Sequence, residues 1–151
     1  MTRLLLVAHA PLASALLRVA EHVFPDCASG VEAIDVGAGA DPAEVESSLR
    51  RYLGRFTEEP TLILVDVFGA TPCNAALRAA DGRLVRVVAG VNVPMLWRTL
   101  CYQGEGLDAL VERAVAGGGL GVMHVAVPRR QNQSANAVDT GHDQVQHIDQ
   151  Q

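Results

Sequence analysis

At 151 residues the chain has the length of one ordinary domain, enough to bury roughly two thirds of the surface its unfolded form exposes. With 49% apolar and 19% charged residues it reads as a compact folded domain rather than a disordered or fibrous chain. Net charge is −5 and all twelve basic residues are scattered arginines, which argues against nucleic acid as a partner and, in the absence of lysine, excludes Schiff-base chemistry and a lysine-bearing P-loop.

The first predicted element is the branched apolar run "LLLVA", residues 4 to 8, read as a strand buried on both faces and closed by His9. Leu12, Leu16, Val19 and Val23 follow at helical spacing. A weaker strand, "VEAIDV", covers residues 31 to 36. The next stretch, "GAGADP", lacks the third glycine of a dinucleotide-binding turn. Asp41 as N-cap, Pro42 at the first helical position and Glu44 in a capping box account for it, and they start a helix marked by Val45, Leu49, Tyr52, Leu53 and Phe56.

A third strand is read in "TLILVD", 61 to 66, with a helix beginning near Thr71-Pro72. A fourth strand is "LVRVVA", 84 to 89, followed by a short helical turn after Asn92-Val93-Pro94. Leu107, Leu110, Val111, Ala114 and Val115 mark another helix, expected to end at Gly117-Gly118-Gly119 before a last strand, "LGVMHVAV", at 120 to 127. Alternating strands and helices with short links predict a single α/β domain over residues 1 to 128. Its sheet is mainly parallel and doubly wound, in order 2-1-3-4 plus a C-terminal edge strand.

Residues 129 to 151 carry no aromatic residue and no apolar period, and are read as a polar tail outside the domain. His142 and His147, five apart in it, do not share a helical face and are not expected to bind metal. Cys27, Cys73 and Cys101 are odd in number and share no CxxC spacing, so neither a disulfide framework nor a zinc knuckle is expected. No apolar run nears the roughly 18 residues a membrane-spanning helix needs, and the start of the chain lacks the features of a signal peptide. A cytoplasmic protein without direct membrane insertion is expected.

In an open parallel sheet, ligands meet the protein at the carboxyl ends of the strands. The polar residues expected there are His9, Asp35, Asp66 and Asn92. Neutral imidazole is a competent nucleophile, and a carboxylate that accepts a proton from Nδ1 leaves the Nε2 lone pair free. Asp66 is the natural candidate, since the first and third strands are neighbours in the common doubly wound orders, and Asp35 is the alternative. The segment "DVFGATPCNAA", 66 to 76, supplies a seat for an anion: Gly69 and Ala70 permit close backbone approach, Thr71 offers a hydroxyl, and Pro72 opens a helix. The plain reading of that segment is a strand-to-helix turn capped by Thr71.

Three segments, "LLLVAHAPLASALL", "LILVDVFGATPCNAA" and "VVAGVNVPML", together resemble the enzyme IIA subunit of the mannose class in the bacterial phosphoenolpyruvate-dependent sugar phosphotransferase system. The similarity runs from residue 1 to about 125. It implies that His9 accepts a phosphoryl group on Nε2 from the phosphohistidine of the carrier HPr and passes it to a IIB protein. Asp66 would orient the imidazole, Thr71 and nearby amides at Gly69 and Ala70 would hold the phosphoryl oxygens, and no metal or other cofactor is needed. The resemblance also implies a homodimer in which the last strand can be exchanged, a hinge that Gly117 to Gly119 would suit, and association with a membrane permease complex. Two departures stand out, Ala10-Pro11 after the histidine and Ala70 at the place of a second glycine in the turn. With no IIB segment after the domain, the acceptor is expected to be a separate chain. The alternative function is a regulatory phosphoprotein whose His9 state controls a partner without sugar transport.

Overall fold

Branched apolar runs that are buried on both faces can only sit in the middle layer of the molecule, and two of them form the centre of the sheet, flanked by two less buried edge strands. In the computed structural model, which describes residues 1–129, β1 (Arg3–His9), β2 (Glu32–Val36), β3 (Thr61–Val65) and β4 (Val85–Ala89) make one sheet in the order β2-β1-β3-β4. Every pairing is parallel, with Val7 opposite Val65 and His9 opposite Val36. Leu4 to Ala8 and Leu62 to Val65 are sealed from solvent, as the unbroken apolar runs require.

Helices cover both faces. On one side Leu4, Leu6, Ala8, Leu62 and Leu64 pack with α1 (Leu12–Val23), α5 (Val93–Cys101) and α6 (Leu107–Leu120). On the other, Leu5, Val7, Ile63 and Val65 pack with α3 (Pro42–Leu53) and α4 (Thr71–Ala79). A single turn, α2 (Pro25–Ala28), follows α1. No helix of the described residues is long and apolar enough to cross a membrane.

The expected single-domain sheet in order 2-1-3-4 is therefore present, and two expectations near its C-terminal end are corrected. The glycine triplet does not end a helix, because α6 runs through it to Leu120. Its role is steric: a Cβ on Gly117 would lie 2.6 Å from Arg98 Cβ, and one on Gly118 2.6 Å from Met95 Cε. These glycines let α6 approach α5 closely, which offsets the roughly 1 kcal/mol each costs inside a helix.

The second correction concerns 120–127. Leu120 closes α6, and no regular structure follows it through residue 129. Val122, Met123, Val125 and Val127 are exposed. Strand propensity forms a strand only where a neighbouring edge takes the amides and carbonyls, and among the described residues that segment pairs with none. The turn expected after Asn92 is a full nine-residue helix, α5, driven by Met95, Leu96, Thr99 and Leu100 on its buried face. Apart from Arg129, the tail read at 129–151 lies outside the described residues.

Candidate active site

All four strands point their carboxyl ends the same way, so the polar residues that close them gather along one edge. His9 is the last residue of β1, and Asp66 comes directly after β3. One oxygen of Asp66 does two things: Oδ2 accepts from the His9 backbone amide at 2.9 Å and lies 2.6 Å from His9 Nδ1. Its other oxygen accepts from the Val67 amide at 2.9 Å. The carboxylate thus holds both the backbone and the ring of the histidine.

Burial pushes the Asp66 carboxyl up, but the bonds from the His9 amide and ring and the Val67 amide outweigh it and hold the group below its ordinary 3.8. At neutral pH Asp66 is therefore ionised and can only accept. Nδ1 of a neutral imidazole must then be the protonated nitrogen, and the lone pair stands on Nε2. The Asp66 side chain is 12% exposed while that of His9 is 47% exposed, so the acid is sheltered and the ring remains open to a reaction partner.

The anion seat read in the sequence lies in the turn that leads into α4. Gly69 has φ +86, a conformation glycine takes without penalty. Ala70 has φ −90 and ψ 170, an extended backbone that any residue adopts, so alanine in place of a second glycine brings no strain. Thr71 is the first helical residue rather than the cap, and the N-cap is Ala70, whose methyl group cannot accept a hydrogen bond.

That missing cap separates α4 from its neighbours. Four helices start at this edge, after β1, β2, β3 and β4. The Asp41 side chain caps α3 by accepting from Ala43 N at 3.1 Å. Asn92 caps α5 by accepting from Met95 N at 2.9 Å. At α1, Asp35 Oδ1 accepts from Ser14 N at 3.1 Å. Among the described residues, α4 alone of these four helices has no side chain on its N-terminal amides, and its Thr71 and Cys73 amides have no acceptor.

The structure separates the two secondary candidates from His9. Strand parity puts Asp35 on the α1 face with Ala33, whereas His9 continues the parity of Leu5 and Val7 toward α3 and α4. Both Asp35 oxygens are engaged by Ser14, through its amide and its hydroxyl, so Asp35 does not orient the imidazole. Asn92 is a strut, capping α5 and donating from Nδ2 to Gly118 O at 3.1 Å. Two residues went unnoticed in the sequence. Ser14 is one, and Asn74, whose Nδ2 donates to Gly69 O at 3.1 Å and steadies the turn, is the other. Beside the histidine, Val67 and Phe68 project into solvent, the phenylalanine 77% exposed.

The chain is similar to known proteins over most of its length. Residues 3–115 match the family model EIIA-man, the PTS system fructose IIA component. The PTS system mannose-specific EIIAB component of Escherichia coli (strain K12) is 35% identical over 118 residues, which cover 76% of this chain and 36% of that protein. The chain thus spans little more than a third of the length of that relative. Among solved structures, the mannose/sorbose specific IIA subunit of the phosphotransferase system from Enterococcus faecalis is 26% identical with a TM-score of 0.79, covering 85% of this chain and 97% of that one. A phosphotransferase system component EIIA from Streptococcus agalactiae is 25% identical with a TM-score of 0.73, covering 82% and 97%.

Proposed function

This chain belongs to the EIIA-man family of phosphotransferase-system IIA components, and on that premise we propose that it is a cytoplasmic phosphocarrier in sugar uptake. It takes a phosphoryl group from phospho-HPr on His9 and hands it to a separate IIB protein. The observation that carries this reading is the His9 ring, its Nδ1 held 2.6 Å from Asp66 Oδ2, beside the one helix start at this edge that no side chain caps.

The chemistry follows from those groups. His9 Nε2 attacks phosphorus as the bond to the donor imidazole breaks, and the donor nitrogen keeps the electron pair. The proton on His9 Nδ1 stays where it is, so the ring becomes an imidazolium as the new bond forms. Asp66 offsets that charge at hydrogen-bond distance. The loose, anionic phosphoryl group is met by Thr71 and the free amides of the Gly69, Ala70 and α4 start. Transfer between two histidines is close to balanced, so placement and charge stabilisation are the main demands, and neither a nucleotide nor a metal enters the step.

Exposed Val67 and Phe68 beside the ring offer apolar contact to the carrier proteins that must dock there. The open outer edge of β4 and the exposed valines and methionine of 122–127 support a homodimer in which that segment pairs on a second copy. On this reading residues 1 to 128 carry the activity, deletion of 129–151 leaves transfer intact, and a permease complex of the membrane receives the sugar-bound phosphate flow through IIB.

The test is incubation with phosphoenolpyruvate, enzyme I and HPr, followed by mass spectrometry. One acid-labile phosphate per chain on His9 is expected, and none on His9→Ala. Label retained by that variant refutes the reading. Label that a IIB protein cannot discharge would instead favour the regulatory phosphoprotein.

A further inference from the structure

The turn from Asp66 into α4 is least restrained at Gly69. Its φ of +86 and the open space around it leave the plane of the Gly69–Ala70 peptide with little steric restraint, because glycine has no Cβ to limit rotation. That peptide carries the Ala70 amide, which has no acceptor among the described residues. In a trans peptide the carbonyl and the N–H point in opposite directions, so whatever holds the Gly69 oxygen also aims the Ala70 N–H. Asn74, the fourth residue of α4, holds it. Its Nδ2 donates to Gly69 O at 3.1 Å, and its backbone amide donates to Ala70 O at 2.9 Å. One residue therefore clamps two successive peptides from behind, and the amides of Ala70 and Thr71 both face away from it. The side-chain bond is the informative one. A backbone bond of this kind comes with any helix, whereas the bond to Gly69 O needs a side-chain donor at this position. Because α4 packs on the sheet face that His9 continues from Leu5 and Val7, the clamped turn and the imidazole belong to the same side of the molecule.

We propose that Asn74 is a positioning residue for phosphoryl transfer: it locks the Gly69–Ala70 peptide so that the Ala70 amide stays directed at the phosphoryl group on His9. The idea rests on the reading of His9 as the phosphoryl acceptor and of this turn as its seat. What it adds is a residue that touches neither the imidazole nor the phosphate. Without the side-chain donor, the Gly69 oxygen has a free partner four residues on, the Cys73 amide, at the ordinary helical spacing. Rotation of the peptide toward that donor would turn the Ala70 N–H off its direction and occupy a second amide of the helix start. The unphosphorylated protein loses little by this, since one neutral hydrogen bond replaces another. The phosphorylated protein loses a bond to a charged acceptor, which is roughly twice as strong as a neutral one.

The experiment compares the full chain with Asn74→Ala, a change that alanine's helix propensity favours. Each protein is mixed with phospho-HPr and the equilibrium constant for transfer is read by mass spectrometry of both partners. The amide proton of Ala70 is followed by NMR before and after phosphorylation. In the wild-type chain that proton should move downfield on phosphorylation, as it gains an anionic acceptor. In Asn74→Ala the shift should be less than about half as large, and the equilibrium constant should fall at least about threefold. That is part of the roughly tenfold or more that full loss of a hydrogen bond to a charged group would bring. A merely structural role would lower the melting temperature and leave both readouts alone, because it acts equally on the phosphorylated and unphosphorylated forms. A folded variant whose equilibrium constant falls by less than about threefold, or whose Ala70 proton responds as in wild type, overturns the proposal. So does a wild-type chain that is phosphorylated on His9 while its Ala70 amide stays silent, a result that leaves the phosphocarrier reading standing. Should Asn74→Ala melt early, Asn74→Leu, which keeps the bulk without the donor, is scored by the same two readouts. A wild-type chain that takes no phosphate on His9 refutes the phosphocarrier reading itself, and it is scored before any variant is made.

Discussion

Replacing Asp66 by asparagine tests the reasoning about the site at its narrowest point. The side chain keeps its size, but one carboxylate that accepts three hydrogen bonds, from the His9 amide, the His9 ring and the Val67 amide, becomes an amide with one accepting oxygen. Both His9 bonds fall on Oδ2 and the Val67 bond on Oδ1, so an amide turned to accept from the Val67 N–H sets its NH2 group against Nδ1 and favours the tautomer with the proton on Nε2, where no lone pair remains for attack. Even in the correct tautomer, the charge that offsets the imidazolium is gone. A hydrogen bond to a charged group contributes about 1.5–3 kcal/mol, and at about 1.4 kcal/mol per tenfold the upper figure slows transfer by roughly two orders of magnitude. Quench-flow measurement of uptake from phospho-HPr, with circular dichroism to verify the fold, gives the number. A folded Asp66→Asn that transfers within threefold of wild type would refute the argument that Asp66 fixes and charges the ring.

The low carboxyl pKa of Asp66 also fixes the sign of a pH effect. Because the folded-state value lies below the ordinary 3.8, its contribution to stability is fully present above that value and is lost as pH falls through the depressed one. Denaturation of wild type against Asp66→Asn should show a constant gap from neutral pH to about pH 5 that shrinks only in stronger acid; a gap that vanishes by pH 5 contradicts the shift. Gly69→Ala forces a side chain into φ +86 with open space around it, so we expect a loss of about 1 kcal/mol in urea denaturation, from backbone strain alone. In α6 neighbouring glycines should respond with opposite signs. A Cβ on Gly117 meets Arg98 Cβ at 2.6 Å, whereas one on Gly119 meets nothing within 4 Å. Gly117→Ala should cost about 1–3 kcal/mol and Gly119→Ala should gain up to about 1 kcal/mol, and losses of equal size would show that the triplet acts through flexibility after all.

What could be read from the sequence was what depends on local pattern. The apolar runs at 4–8 and 61–66 name their strands because both faces are buried, and the usual neighbours of a doubly wound sheet bring the ends of β1 and β3 together, hence His9 beside Asp66. Asp35 failed on a question of register. A shift of one residue moves a side chain to the other face of a sheet, and nothing local shows that His9 stands opposite Val36 rather than opposite Asp35. The glycine triplet failed because its partners, Arg98 and Met95, lie about twenty residues away on α5, while glycine by itself signals only freedom. The segment 120–127 has the composition of a strand, but a strand is a property of two segments, and one of them was not in view. Ser14 was missed since its partner arrives from β2.

One signal for the site was local and went unread. The starts of α4 and α5 are near copies, Ala70-Thr71-Pro72-Cys73 against Asn92-Val93-Pro94-Met95, with proline in the same place and extended backbone at both caps. In each, proline removes one amide donor, so a cap at the first position can serve only the fourth residue. Asn92 does so at 2.9 Å from Met95 N; Ala70 cannot. Alanine at an N-cap forgoes about 1 kcal/mol, a loss that makes sense where the helix start has to stay open for something else. Ala70→Ser and Ala70→Asp should therefore both stabilise the domain, each by about 1 kcal/mol in urea denaturation. Their effects on uptake should diverge: the serine hydroxyl occupies only the Cys73 amide, whereas the aspartate adds a charge that repels the incoming phosphoryl group and should slow transfer about tenfold or more. If Ala70→Asp gained stability and still accepted phosphate at the wild-type rate, the open start of α4 would have no part in holding the phosphoryl group, and the anion would have to be held elsewhere.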